Sequence, residues 1–220
     1  MARTARVIAP RYPHHITQRG NRRQKTFFCE EDFKLYKNLM AHWCKRFNVE
    51  VWAYCLMPNH IHLIAVPSDA DSFHKVIGEA HRRYTRHINF RENWRGHLWQ
   101  GRFASYVMDD NYLVAAARYI ELNPVRAHLV NDPSRYPWSS ASSHLKNQDD
   151  DLVMVKPLLQ RIPDWSSFLK EGMEKETVHL IRKHENTGRP LGNEVFMTTL
   201  ENELGKKLSP LKAGRPKKKN

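Results

Sequence analysis

The stretch from Tyr54 to Val66, which reads YCLMPNHIHLIAV, decides the fold. Its Pro58 separates two extended segments, because proline lacks an amide donor and belongs at the start of a strand. Side chains alternate between the two faces of a strand, so His60 and His62 share the face opposite the apolar residues. Their Cα atoms are expected roughly 6.8 Å apart, a spacing at which two imidazoles can hold one cation. The alternative is a pair of half-buried polar residues on an open sheet face.

The composition points to a polyanionic partner. The 220 residues carry a formal net charge of +13, with 36 Lys and Arg against 23 Asp and Glu. Nucleic acid matches that excess better than a membrane does, and no apolar run approaches the length of a membrane span. The N-terminus lacks the apolar core of a signal peptide, and the three cysteines show no CxxC spacing. We therefore expect a cytoplasmic protein with reduced thiols.

The hydrophobic patterns predict elements in the order strand, helix, strand, strand, helix, strand. The strands are expected at residues 12–19, at 49–56, after Pro58 and at 98–108, and the helices begin at Glu30 and near Ser72. This order is the split βαβ arrangement of the ferredoxin-like fold. It predicts an α+β protein with an antiparallel sheet and helices on one face. The face that carries the two histidines would then be free.

A third helix, expected at residues 111–122 and capped by Asp109 and Asp110, presents a hydroxyl and an amide beside its apolar stripe. At 3.6 residues per turn, Tyr119 and Asn123 fall on one flank, where they can face a cleft. Two alternatives stay open. Tyr119 can be a surface tyrosine whose ring packs on the edge of the core, and Asn123 with Pro124 can cap a following short helix.

Cations gather in the loop after the first strand and on the second helix. The loop, residues 20–25, combines turn formers with positive charges, a combination that suits contact with phosphates. A merely solvated loop is the alternative. The residues predicted to contact DNA are Arg19, Arg22, Arg23, Lys25, Arg82, Arg83, Arg86, Arg102 and Arg215.

The acidic stretch NQDDD, residues 147–151, predicts a domain boundary. The sequence divides there into a first domain over 1–146, a helical C-terminal extension over 147–204 and a basic, flexible tail over 205–220. In the extension, Asp164 predicts the start of a helix and Gly205 the end of another. The tail contains GRPK at 214–217, which resembles the core of an AT-hook, although binding to DNA by charge alone is the other interpretation.

Four motifs together resemble a known family. NHIHL (59–63), followed by a helix that carries RYIELNPVRA (118–127), resembles the single-tyrosine transposases of bacterial insertion sequences. Those enzymes belong to the His-hydrophobic-His endonucleases. With LWQGRF (98–103) and YPWSS (136–140), the chain is most similar to the REP-associated tyrosine transposases, and the likeness runs from about residue 12 to residue 143.

The resemblance implies a role for each residue of the site. His60 and His62 would be metal ligands, Tyr119 the nucleophile, and Asn123 a helical amide ligand one turn later. A site of that kind accepts Mg²⁺ or Mn²⁺, although imidazoles also accept zinc. The cation would neutralise the phosphate oxygens, which otherwise repel a nucleophile. The sequence identifies no general base.

The implied activity is cleavage and rejoining of single-stranded DNA beside palindromic hairpins. The intermediate would be a 5′-phosphotyrosine, with a free 3′-OH conserved for rejoining. Single-stranded DNA is the expected substrate because an unpaired backbone can bend into a cleft and its bases can stack on aromatic side chains. The protein would act as a monomer or a homodimer.

Three alternatives remain. A DNA-binding regulator on the same scaffold that does not cleave would have the same composition. A phosphoesterase acting on RNA ends would need a pair of His-x-Thr or His-x-Ser motifs, whereas this chain has one His-x-His. A zinc hydrolase would need further ligands close to the first pair, and none occurs at such spacing.

Overall fold

Four antiparallel strands form one sheet in the order β2-β3-β1-β4. The structure is a computed structural model that describes residues 6–208. The strands are β1 (His14–Arg19), β2 (Val49–Met57), β3 (His60–Pro67) and β4 (Ala104–Val107). This strand order confirms the predicted ferredoxin-like arrangement, with β1 and β3 at the centre of the sheet.

Two long helices cover one face of the sheet, as the sequence predicts. They are α1 (Glu30–Arg46) and α2 (Ser72–Arg91). Their apolar stripes pack against the inward side chains of β3, namely Ile61, Leu63 and Ala65. The buried Asp32 carboxylate at the start of α1 accepts hydrogen bonds from both terminal nitrogens of Arg91 at the end of α2, at 2.5 and 3.0 Å. This ion pair fixes the two helices side by side.

The second face of the sheet is covered as well, so the expectation of a free face is wrong. Helices α3 (Asp110–Glu121) and α8 (Lys175–Thr187) lie on it. The reason is visible in β2 and β3, because Ala53, Cys55 and Ile64 present apolar side chains on this face and are fully buried there. Strands that are apolar on both faces need helices on both faces.

The remaining helices are short and lie mostly in the second half of the chain. They are α4 (Asn123–Arg126), α5 (Ala141–Leu145), α6 (Lys156–Leu159), α7 (Trp165–Lys170) and α9 (Glu194–Leu204), with 3₁₀ turns at Asn21–Arg23 and Pro133–Arg135. The predicted cap at Asp164 and the predicted end at Gly205 are confirmed. Within residues 6–208, no helix combines the length and the apolar character needed to cross a bilayer.

The C-terminal extension shares the cores of the first domain. Leu152, Val153 and Val155 join the cluster under α1 and α2, whereas Trp165 and Ile181 join the cluster on the second face. The domain boundary at residue 147 and the separate tail stay predictions. Most of the tail lies outside the described residues.

The fourth strand is shorter than predicted. Only Ala104–Val107 pairs with β1, whereas residues 98–103 form an irregular connection. Gly101 takes a φ of 63°, and the Trp99 ring stacks on the His81 ring at 4.3 Å, so the chain leaves the sheet before β4. The Gln100 amide still donates to the Arg19 carbonyl at 2.8 Å, which keeps this connection beside the end of β1.

A buried polar network fixes the last turn of α3. The Glu121 carboxylate accepts hydrogen bonds from the Ser140 hydroxyl at 2.5 Å, from the His144 ring at 2.7 Å and from the Trp165 indole at 2.7 Å. These partners belong to the YPWSS segment, to α5 and to α7. The network therefore sets the position of Tyr119, two residues earlier on the same helix.

Lowering the pH should destabilise this fold through His14. The buried ring accepts a hydrogen bond from the Ala9 amide at Nε2 and donates from Nδ1 to the Tyr12 carbonyl, so it is neutral. Burial lowers its pKa from 6.5 to about 4. The stability contributed by the neutral ring is complete above pH 6.5 and is lost as the pH falls toward 4. We expect urea unfolding to show a loss of about 1.4 kcal/mol per pH unit from this residue.

The matched variant is His14→Gln, which keeps an acceptor near the Ala9 amide and removes the titration. Its free energy of unfolding should depend less steeply on pH than that of the wild type below pH 6.5. Equal slopes in the two proteins would show that His14 does not stay neutral on folding.

Candidate active site

The two central strands, β1 and β3, carry a cluster of imidazoles on the sheet face that α3 and α8 cover. Thr17 lies opposite His62 in the register of β1 and β3, and His15 is therefore the diagonal neighbour of His62. The His15 Nε2 lies 3.0 Å from the His62 Nδ1. His14 faces α2 instead, where its ring meets Phe73 edge-on, so the two adjacent histidines face opposite sides of the sheet.

His60 lies at the edge of this cluster, with its ring centroid 4.9 Å from that of His62. Its Nδ1 donates to the Asn59 side-chain oxygen at 2.6 Å. That hydrogen bond leaves the Nε2 of the neutral ring with a free lone pair, the tautomer that a metal ligand requires. Burial, with a further contribution from Arg19, lowers the pKa of His60 to about 3.

A carboxylate from α8 meets the imidazoles. The Glu185 Oε1 lies 3.6 Å from the His62 Nδ1 and 3.7 Å from the His15 Nε2. It is buried without a hydrogen-bond partner, and burial raises the pKa of Glu185 to about 7. Burial also lowers the pKa of His15 to about 3 and that of His62 well below its ordinary value, so both rings are neutral.

Tyr119 packs directly on these rings. Its ring centroid lies 5.7 Å from that of His62 and 6.1 Å from that of His15. The side chain is 4% exposed, so it faces the buried cluster under α8 rather than an open cleft or the surface. Burial raises its pKa, and the Glu185 carboxylate adds to that effect, whereas the hydrogen bond from Arg182 opposes it.

Arg126 connects the tyrosine to Asn123. Its guanidinium carbon lies 4.1 Å from the centroid of the Tyr119 ring, and its Nη1 donates to the Tyr119 carbonyl at 2.8 Å. Its Nη2 donates to the Asn123 side-chain oxygen at 3.2 Å. Asn123 is the first residue of α4 and makes no capping hydrogen bond, so the capping alternative is wrong. Its buried Nδ2 has no hydrogen-bond partner in the described chain.

The donor set fits a divalent cation. Among residues 6–208, one group of His, Cys, Asp or Glu brings its ligand atoms within 4.8 Å of one another, and it consists of His15, His62 and Glu185. Neutral imidazoles and a carboxylate are the forms that bind metal, and the unpartnered Glu185 oxygen is an acceptor aimed into the group.

The predicted DNA-contacting cations within the described chain are all exposed. One group of them lies beside the histidines, and a second group lines a cavity. Arg19 pairs with His60 in the strand register, and the Asn59 amide donates to the Arg23 carbonyl at 3.1 Å, which holds loop 20–25 next to the histidines. Arg82 and Arg102 line a cavity of about 560 Å³ between α2 and the segment before β4. Arg215 lies outside the described residues.

Arg83 belongs to neither group. Its guanidinium lies 5.0 Å from the ring of Trp43 on α1, and it also pairs with Glu79. The cavity is also lined by one further arginine and by aromatic rings that were not among the predicted DNA contacts. They are Arg6, His74, His81, His97, Trp99 and Phe103.

Comparisons with known proteins identify a family whose sequence model matches the first half of the chain. The sequence model of the family described as "Transposase IS200 like" matches residues 9–123. A protein of Haemophilus influenzae assigned as a REP-associated tyrosine transposase is 29% identical over 114 residues, which are 47% of this chain and 65% of that protein. The match therefore covers less than two thirds of the relative.

One solved structure shares the fold. A REP-associated tyrosine transposase bound to a REP hairpin superposes with a TM-score of 0.58 at 19% identity, over 69% of this chain and 90% of that one. A transposase-like protein from Deinococcus radiodurans matches with a TM-score of 0.39 at 20% identity, over 55% of this chain and 96% of that one.

Replacing Glu185 with Gln should stabilise the protein at alkaline pH in EDTA. The folded pKa of about 7 lies above the 4.5 of an ordinary glutamate. The carboxyl group therefore contributes stability below pH 4.5, and this contribution is lost as the pH rises through 7. At about pH 8, we expect the variant to gain up to about 3 kcal/mol in free energy of unfolding, with a smaller gain toward pH 5.

The measurement is denaturant unfolding at both pH values. Glu176→Gln is the matched control because Glu176 is exposed on the same helix, and it should change stability little. A Glu185→Gln protein that is less stable than the wild type at about pH 8 would contradict the assignment of a strained buried carboxylate.

Proposed function

The chain belongs to the family of IS200-like transposases, and on that premise we propose that it cleaves and rejoins single-stranded DNA beside palindromic hairpins. The observation that carries the proposal is the packing of the Tyr119 ring on the His62 and His15 rings. A hydroxyl nucleophile, neutral imidazoles and guanidinium groups then meet at one point of the molecule. A nucleic-acid hairpin is the partner of one structural relative, and we extend it to this chain.

In the proposed reaction, the Tyr119 hydroxyl oxygen attacks the phosphorus atom of a phosphodiester. The new bond joins tyrosine to the 5′ phosphate, and the bond from phosphorus to the 3′ oxygen breaks. The hydroxyl loses its proton, and the departing 3′ oxygen takes one up as a free 3′-OH. Because a phosphodiester bond is kept, attack by a 3′-OH on the phosphotyrosine rejoins DNA in the reverse direction.

Two arginines help the tyrosine to lose its proton. An unperturbed tyrosine has a pKa near 10, and burial raises the pKa of Tyr119 further. The Arg182 hydrogen bond and the nearby Arg126 guanidinium favour the phenolate, because each places positive charge beside the developing negative oxygen. Both residues would also attract the phosphate that approaches the site.

His60 and His62, with Asn123 as a third ligand, would hold Mg²⁺ or Mn²⁺ in this reaction. When bound there, the cation supplies positive charge for the oxygens of the scissile phosphate. The Asn59 hydrogen bond supports this role by fixing the His60 ring with Nε2 free. Replacement of either histidine by Ala should remove most of the cleavage.

The cavity lined by Arg82 and Arg102 would bind the DNA away from the scissile phosphate. Positive side chains can contact the backbone there. The exposed cations of loop 20–25 lie next to His60 and would guide the strand to the tyrosine. Arg86 and Arg215 would also contact the DNA directly.

A DNA-binding regulator that does not cleave is the second candidate. The observation in its favour is the burial of Tyr119, whose side chain is 4% exposed beneath α8. Such a protein would bind hairpins with the same cations and leave the phosphodiester intact. Action as a monomer or as a homodimer fits either candidate.

The covalent intermediate provides the first test. Incubation with hairpin-bearing single-stranded DNA and Mn²⁺ should give a protein–DNA adduct that survives denaturation. Tyr119→Phe should abolish the adduct and leave DNA binding nearly unchanged, because only the attacking oxygen is removed. Tyr112→Phe is the matched control, since Tyr112 lies two turns earlier on α3. An adduct that survives in Tyr119→Phe, or that maps to Tyr112, would contradict the assignment.

The salt dependence of binding tests the cavity. Arg102→Ala should weaken the binding of single-stranded DNA and reduce the slope of log affinity against log salt concentration by about 0.7, the value for one lost phosphate contact. Arg161→Ala is the control, because Arg161 is an exposed arginine that pairs with Asp110 elsewhere on the surface. Equal slopes for the wild type and Arg102→Ala would show that the cavity does not contact DNA.

A further inference from the structure

Three ligand atoms from β1, β3 and α8 have the mutual spacing of atoms around one cation. The His15 Nε2, His62 Nδ1 and Glu185 Oε1 form a triangle with edges of 3.0, 3.6 and 3.7 Å. Ligands about 2.1 Å from a metal ion are separated by roughly 3.0 Å at octahedral angles and 3.4 Å at tetrahedral angles. The triangle therefore matches a coordination site without rearrangement of the backbone.

Hydrogen bonding alone leaves this triangle incomplete. One neutral imidazole can donate to the other, which satisfies the pair of nitrogens. The Glu185 Oε1 then remains buried without a donor. The Nδ1 of His15 lies 2.9 Å from the Tyr106 hydroxyl oxygen, which can accept a hydrogen bond from the Nδ1–H, so that Nε2 keeps a free lone pair. In that tautomer all three atoms are acceptors, and a cation satisfies them together.

We propose that His15, His62 and Glu185 form a cation position in the DNA-free protein, called here the inner position. The proposal rests on the proposed function and names ligands beyond those that the family resemblance implies. Two imidazoles and one carboxylate favour a first-row transition cation such as Mn²⁺. Glu185 lies outside the segment that matches the family, residues 9–123, so the carboxylate is a contribution of the C-terminal extension.

The inner position excludes simultaneous binding between His60 and His62. A neutral imidazole has one lone pair, so His62 can serve one cation at a time. The ligand group within residues 6–208 contains His15, His62 and Glu185 but not His60. Mn²⁺ binding to the DNA-free chain should therefore depend on His15 and Glu185 and be independent of His60.

The charges around the triangle make Glu185 indispensable to it. Arg19, Arg126 and Arg182 all act electrostatically on the carboxylate, and each repels a cation. The imidazoles are neutral and do not offset that repulsion. Removal of the one negative charge should therefore cost more than tenfold in affinity, because loss of a single outer-shell partner already costs 10- to 100-fold in many metal sites.

The test is a titration of the full-length, DNA-free protein with Mn²⁺, in which the free ion is followed by electron paramagnetic resonance. We expect one bound Mn²⁺ per chain. Glu185→Gln and His15→Gln should each weaken binding more than tenfold, whereas His60→Gln and the control Glu176→Gln should bind like the wild type. Circular dichroism melts in EDTA check that each variant is folded, and Mn²⁺ should raise the melting temperature of the wild type but not of Glu185→Gln.

Three results would overturn the inner position. The first is a Glu185→Gln protein that binds Mn²⁺ as tightly as the wild type. The second is loss of binding in His60→Gln with retention in Glu185→Gln, which would place the cation between His60 and His62. The third is a wild type that binds no Mn²⁺. The Mn²⁺ titration is independent of the assay for the covalent adduct on Tyr119. That assay tests the proposed function separately.

Discussion

The pairing of β1 with β3 at the centre of the sheet is the constraint on which the site depends. It is antiparallel, and its register places His15 diagonally next to His62 on one face while Ile16 and Leu63 face the opposite core. A shift of one residue would turn the imidazoles into that apolar core. Burial on both faces therefore fixes the register, and the register brings the ligand atoms together.

Helix α8 supplies the charged residues that meet the imidazoles and Tyr119. It covers the second face, brings Glu185 to the imidazoles and brings Arg182 to Tyr119. The helix thereby covers Tyr119 and the neutral imidazoles, whereas Arg182 itself stays exposed to solvent. Such a concentration of buried, shifted groups destabilises a fold and is typical of a functional site. The arrangement also explains why Tyr119 is buried although its flank of α3 is polar.

Local sequence patterns predicted the parts of the site that lie on one element. The alternation around His60 and His62 and the helical spacing of Tyr119 follow from periods of 2 and 3.6 residues. The diagonal contact between His15 and His62 requires the strand register, which no local pattern in the sequence supplies. A comparison of same-face residues on the two predicted central strands could have suggested it.

Glu185 had no local signal at all. It lies on a helix in the C-terminal extension, more than a hundred residues along the chain from β3. The free second face was a wrong expectation for the same reason, because the apolar face of β2 indicated a cover but not which helix provides it. The short β4 followed from Gly101 and from the stacking of Trp99 on His81, a contact between distant residues.

The central claim is that the imidazole face of β1 and β3 holds a cation beside Tyr119. Its most direct test is an anomalous difference map from crystals of the full-length protein grown with Mn²⁺, recorded at the manganese absorption edge. The account predicts the strongest peak about 2 Å from a ring nitrogen of His62, and the position of the peak relative to Glu185 and His60 identifies the other ligands. A map whose strongest peak lies away from His62 would contradict the account.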